Sequence, residues 1–149
     1  MTPFLSEALR LIRTTRGYAE IAVDLAQLAS ENRIRFNAGM EDRAQAGLLG
    51  TITLGPEAAE ASALSLAQTL VHEHFHLRRQ NPLQKTVSFW SGTFSRTPVM
   101  LRFEQPAYQA AVDFLRAVAA SHPDLAGEAQ NEQDEIRGAF QNDFGASLN

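Results

Sequence analysis

The chain has 149 residues, of which 44% are hydrophobic, a length and composition that suit one domain with one core and are too short for two ordinary ones. A formal charge of -4 gives no broad basic surface for phosphate backbones, so nucleic acid is not an expected partner. With no cysteine there can be neither a disulfide framework nor a thiolate metal site, and a transition metal would have to be held by imidazole and carboxylate.

In chain order, apolar residues recur at three- and four-residue intervals from Phe4 to Arg13 and again from Tyr18 to Ala29, the pattern of two amphipathic helices separated at Gly17. Arg33 to Phe36 alternates polar and apolar, and Leu49 to Leu54 is β-branched between Gly50 and Gly55-Pro56. Both read as short strands of a small sheet or hairpin, with Asn37 to Gly47 as an exposed loop. From Ala58 to Arg79 an Ala- and Leu-rich run without Gly or Pro predicts one helix, ended by Asn81-Pro82. Residues 82–103 read as an irregular excursion carrying Phe89, Trp90 and Phe94. A helix follows from Gln105 to Ala120, then a more polar one from Asp124 to Phe140, with 141–149 as a frayed tail. The expected architecture is α+β: a mostly helical single domain over 1–149 with a small sheet beside the 58–79 helix. No apolar run approaches the roughly 18 residues of a membrane span, and the first residues lack a signal-peptide core, so no membrane partner is expected.

The 58–79 helix carries His72-Glu73-His74-Phe75-His76, an H-E-x-x-H pattern. Its value is geometric: imidazoles at i and i+4 project from one helix face and can chelate one zinc ion, while Glu73 on the adjacent face can take a proton from an attacking water. At about 100° per residue, Ser65, Thr69, His72 and His76 share one stripe, opposite Leu66, Ala67, Leu70, Val71, His74 and Phe75. The two candidate ligands thus face a cleft floored by small polar residues. His74 falls in the apolar arc and reads as a hydrogen-bonded core histidine.

A catalytic zinc needs a third protein ligand. A third histidine in the extended pattern would require Gly at 79 and His at 82, where the chain has Arg79 and Pro82. Glu104 is the leading alternative, because it heads a stripe with Tyr108, Ala111, Leu115 and Val118, and a carboxylate on an apolar face needs a partner. Asp113 falls on the solvated side. The competing reading starts the helix at Pro106 and leaves Glu104 outside it, merely complementing the helix dipole. Tyr108, one turn beyond Glu104, reads equally as a donor to an oxyanion or as a core tyrosine. His122, before Pro123, reads as a helix-end residue and an outside candidate. Trp90 is placed near the site as one wall of an apolar subsite, a position that core packing explains as well.

At Leu70 to His76, and again at Glu104-Gln105-Pro106-Ala107-Tyr108, the chain resembles the gluzincin group of zinc metallopeptidases, more narrowly the small metallopeptidase domains of bacterial polymorphic toxins. The resemblance spans about Leu49 to Leu115. It implies a zincin-like fold, one zinc ion, peptide-bond hydrolysis, and an edge strand, Thr51 to Leu54, that pairs with an extended substrate. The usual Asn-Glu lead-in to the third ligand is absent, Phe103 precedes Glu104, and Pro106 interrupts the first turn.

The expected function is therefore zinc-dependent hydrolysis of peptide bonds, with His72, His76 and Glu104 as ligands and Glu73 and Tyr108 as catalytic groups. A non-catalytic, metal-stabilised interaction module is the alternative, and a metal-free helical interaction protein the third. Peptide, protein and cell-wall amide substrates all stay open. So do a cytoplasmic location, export without a signal peptide, and an inhibitory or immunity protein as partner.

Overall fold

The computed structural model describes residues 3–47, 49–79 and 98–149. The residues between its second and third segments include Phe89, Trp90 and Phe94, so the subsite reading lies outside the described residues, as does the helix stop at Asn81-Pro82. The architecture is a mostly helical α+β domain with one small mixed sheet.

Helices α1 (Pro3–Thr14) and α2 (Ala19–Ser30) form a hairpin around Gly17, whose φ of +90° suits a residue without Cβ. Their apolar periodicity buries Leu5, Ala8, Leu9, Leu11 and Ile12 from one and Ala22, Leu25 and Leu28 from the other. A Schellman motif ends α2, with Asn32 left-handed at φ 60° and the Arg33 amide donating to Leu28 O at 2.8 Å. The chain then enters β1 (Ile34–Phe36).

Two further strands follow, β2 (Ala44–Ala46) and β3 (Ile52–Leu54), in the order β1-β3-β2. β1 pairs parallel with β3, Arg35 opposite Thr53, and β2 pairs antiparallel with it, Gln45 opposite Thr53. This corrects two expectations. The 37–47 stretch is not wholly loop, because Ala-Gln-Ala, a poor strand former alone, is made a strand by its ladder to β3. And β3, expected at the edge, is the central strand, bonded on both sides.

Gly55 holds β2 against β3: its amide donates to Arg43 O at 2.8 Å, and a Cβ there would stand 2.2 Å from the Asp42 carbonyl oxygen. Backbone on both sides leaves little to yield. Gly55→Ala is therefore expected to cost about 1–3 kcal/mol, read by chemical denaturation, as overpacking does elsewhere.

The predicted 58–79 helix is interrupted. Helix α3 (Pro56–Glu60) stops at Ala61, whose ψ of 158° is extended, and α4 (Ala63–Arg79) begins anew. Ser62 makes the break: its Oγ accepts the Ser65 amide at 3.2 Å, satisfying an orphan donor of the new helix's first turn. Helix α4 is the hub, packed by α1, α2, α3, β2, β3 and the two helices that follow, with Leu64, Leu66, Ala67, Leu70, Val71 and Leu77 buried.

Helix α5 (Pro98–Ser121) starts seven residues before the predicted Gln105 and contains Pro106 in its interior. That proline removes the donor for the Arg102 carbonyl, a defect costing on the order of 3 kcal/mol in an ordinary helix. Sequence rules favour ending a helix there; packing of Ala107, Ala111, Val112, Phe114, Leu115 and Val118 into the core carries it through. A 3-10 turn (Pro123–Leu125) leads into α6 (Ala126–Phe144). The predicted frayed tail is instead helical to Phe144, capped by left-handed Gly145, and held by a buried Leu148 and by Asn149 O, which accepts from Arg116 at 2.7 Å. Among the described residues no helix is long and apolar enough to cross a membrane.

Candidate metal centre

A helix turns back on itself every three to four residues, so Ser65, Thr69, His72 and His76 line one stripe of α4, as expected. The lower half of that stripe carries the site. The Nε2 atoms of His72 and His76 lie 3.2 Å apart, and Glu104 Oε2 stands 3.1 Å from the second and 3.4 Å from the first. Glu104 projects from the second turn of α5, which excludes the reading that left it outside the helix. Helices α4 and α5 pack along their length, so the carboxylate is delivered to the imidazoles by the core itself.

The donor set was tested against a metal by its own dimensions. Four ligands at about 2.0–2.1 Å in tetrahedral directions stand about 3.3 Å apart, and the three observed edges are 3.2, 3.1 and 3.4 Å. Nitrogen and carboxylate lone pairs that converge this closely need a cation or a proton between them. Burial would raise the Glu104 carboxyl, but hydrogen bonds from His72 and His76 outweigh it and hold the group well below the usual carboxylate range. An ionised carboxylate and two imidazoles fit a divalent ion of the zinc type. Among the described residues, His72, His76 and Glu104 form the group that could hold a metal ion.

Glu73 borders this group without belonging to it. Its Oε1 is 4.0 Å from His72 Nε2, and the residue is buried. Burial raises its carboxyl above the ordinary value, partly offset by His72 and His76, and the Ala46 amide of β2 faces it and favours its charge. A carboxylate raised in this way is a stronger base than a solvated one.

Tyr108 packs its ring between the metal group and the last helix. Its ring lies edge-on to His72, with centroids 4.5 Å apart, and packs on Phe140 at 5.3 Å. Burial first, then the charges of Glu104, Asp143, Glu73 and Asp42, push its phenol far up, so the hydroxyl keeps its proton. The ring packs against the core beside His72.

The remaining candidates lie elsewhere. Asp113 is exposed on the solvated side of α5, bonded by Gln109 at 3.0 Å and Arg116 at 3.4 Å. His74 points the other way, its Nε2 2.8 Å from Asp24 Oδ2, while Arg78 donates to both oxygens of that carboxylate. Asp24 thereby ties α2 to α4, and Arg78, followed by His74, holds its carboxyl below the ordinary value. His122 lies 3.2 Å from Thr14 Oγ1 at the start of the 3-10 turn and is not in the group.

Two participants were missed by sequence reasoning. The upper part of the stripe is no open cleft floor, because Arg43 covers it, its Nε donating to Thr69 Oγ1 at 2.9 Å and its Nη2 to Ser65 Oγ. Ala46 supplies the amide that meets Glu73. Both lie in the stretch read as loop; the one signal for them was a pair of hydroxyls on α4 that, once buried, would need a donor.

No protein-family model matches the chain, and neither a curated protein nor a solved structure matches it.

Proposed function

We propose that the chain is a zinc-dependent hydrolase of peptide (amide) bonds, functionally akin to the gluzincins. The observation that carries this reading is the convergence of His72 Nε2, His76 Nε2 and Glu104 Oε2 within 3.1–3.4 Å of one another, with the buried Glu73 carboxylate 4.0 Å from the first. Zinc held there supplies a Lewis acid that polarises a carbonyl oxygen and brings the pKa of a water toward about 7.

Glu73 then accepts the proton of the attacking water and returns it to the leaving amine. Its raised carboxyl strengthens it as the base in the first half of that exchange. Tyr108, which keeps its proton, offers its hydroxyl as a hydrogen-bond donor to the oxygen on which negative charge develops. A peptide would pair with the outer edge of β2, since β3 has both sides engaged. The Gly47–Thr51 and Arg43–Gly55 ladder bonds put Gln45 in register to bond β3, which turns the Ala44 amide and the Ala44 and Ala46 carbonyls outward, the Ala46 amide being turned to Glu73. A metal-stabilised module without activity would have no need of a buried carboxylate at position 73.

The test is metal analysis of the purified chain together with cleavage of casein and of a fluorogenic peptide library. One zinc per chain is expected, with turnover abolished by chelator and restored by zinc. One metal per chain with no amide cleaved would establish the interaction module instead, and protein free of metal after growth in zinc would sink both.

A further inference from the structure

Arg43 stands immediately before β2 and reaches two helices. Besides Thr69 and Ser65 on α4, its Nη1 donates to Glu57 Oε1 on α3 at 3.1 Å. The Glu57 side chain is 71% exposed, so that ion pair contributes little. Ser65 and Thr69 are buried, and a charged donor on a buried hydroxyl is a stronger tie. Glu132 of α6 lies close to Ser65, and burial raises its carboxyl.

The same strand packs on α4 beyond Arg43, where the Ala46 amide faces Glu73. From Arg43 to Ala46 a strand advances about 10 Å, at about 3.3 Å per residue. From midway between Ser65 and Thr69 to Glu73 a helix advances about 9 Å, at 1.5 Å per residue. The two steps agree, so β2 runs alongside α4 in the same direction, bonded to it at the Arg43 end and packed on it beyond. The ladder to β3 sets the spacing of the strand within the sheet but not its tilt toward α4.

We propose that Arg43 is a positioning residue: it clamps β2 along α4 and so keeps the strand, with its Ala46 amide, against Glu73, fixing where that carboxylate stands beside the metal group. The catalytic consequence rests on the hydrolase reading above; the clamp itself does not.

The experiment uses the full chain loaded with zinc and three variants, Arg43→Gln, Arg43→Lys and Thr69→Val. Amide hydrogen exchange by NMR is followed at Ala46 and, as a control, at Ile52, which donates to Arg33 O on the far side of the sheet at 2.8 Å. In Arg43→Gln, exchange at Ala46 is expected to quicken by about tenfold or more with Ile52 unchanged, as local rather than global opening requires. Zinc stoichiometry should hold, while kcat falls between about 10- and 100-fold, the scale of a small misplacement of a catalytic group, with KM little altered. Arg43→Lys, which can reach one acceptor at a time, and Thr69→Val, which removes one, should fall between. Unchanged protection at Ala46, equal acceleration at both amides, or a loosened Ala46 with unaltered kcat would each overturn the proposal. If the parent chain cleaves no substrate, faster exchange confined to Ala46 still supports the clamp, and only the hydrolase reading fails.

Discussion

Replacing Glu73 by glutamine is expected to lower turnover by about 10²–10⁴-fold, the range over which a positioned general base acts, while the chain keeps one metal ion. Glutamine has the same shape and can still accept the Ala46 amide, but it cannot carry a proton from water to amine. Because the metal group consists of His72, His76 and Glu104, stoichiometry should not change. Nor should the fold suffer: burial disfavours the Glu73 carboxylate, so a neutral amide in its place relieves a desolvated charge. Turnover on a fluorogenic peptide, metal content and the midpoint of thermal unfolding, taken on one preparation, separate these effects. Undiminished kcat would remove Glu73 from the chemistry.

Glu104→Ala should weaken zinc binding by more than about 100-fold, since losing even an outer-shell partner of a metal site costs 10–100-fold and this residue contacts both imidazoles directly. Asp113→Ala, on the exposed side of the same helix, should leave affinity within about twofold, consistent with the small effects of solvated surface charges. Competition against a chromophoric zinc chelator measures both. The contrast tests the ligand assignment, because the two carboxylates share a helix and differ in the face they occupy. Comparable losses in the two variants, or a loss confined to Asp113→Ala, would move the third ligand away from Glu104.

Much of the fold was legible along the chain wherever one periodicity dominated. The apolar faces of α1, α2 and α4 are local properties: which residues face the core follows from 3.6 residues per turn. The same arithmetic separated His72 and His76 from His74, whose partner Asp24 lies on the opposite side of α4. It also put Glu104 and Tyr108 on one stripe and Asp113 off it. A helix wheel needs no knowledge of the rest of the molecule.

Where local signals compete with long-range contacts, the contacts win. A good helix-forming run from 58 to 79 is broken because one hydroxyl, Ser62, offers an amide a better partner than another helical turn does. A proline that should end a helix at 106 sits inside one because a buried face outweighs the lost hydrogen bond. Ala-Gln-Ala becomes a strand only through its neighbour, and with it the edge of the sheet passes from the Thr51 to Leu54 segment to residues 44–46.

By itself, then, the sequence determined which side chains each helix presents together, since that depends on spacing within one element. Only the tertiary structure decided which elements meet: Glu104 of α5 against the imidazoles of α4, and Arg43 and Ala46 of β2 against the stripe and Glu73. Such pairings are set by how two surfaces fit across the core, and no periodicity within either segment records them.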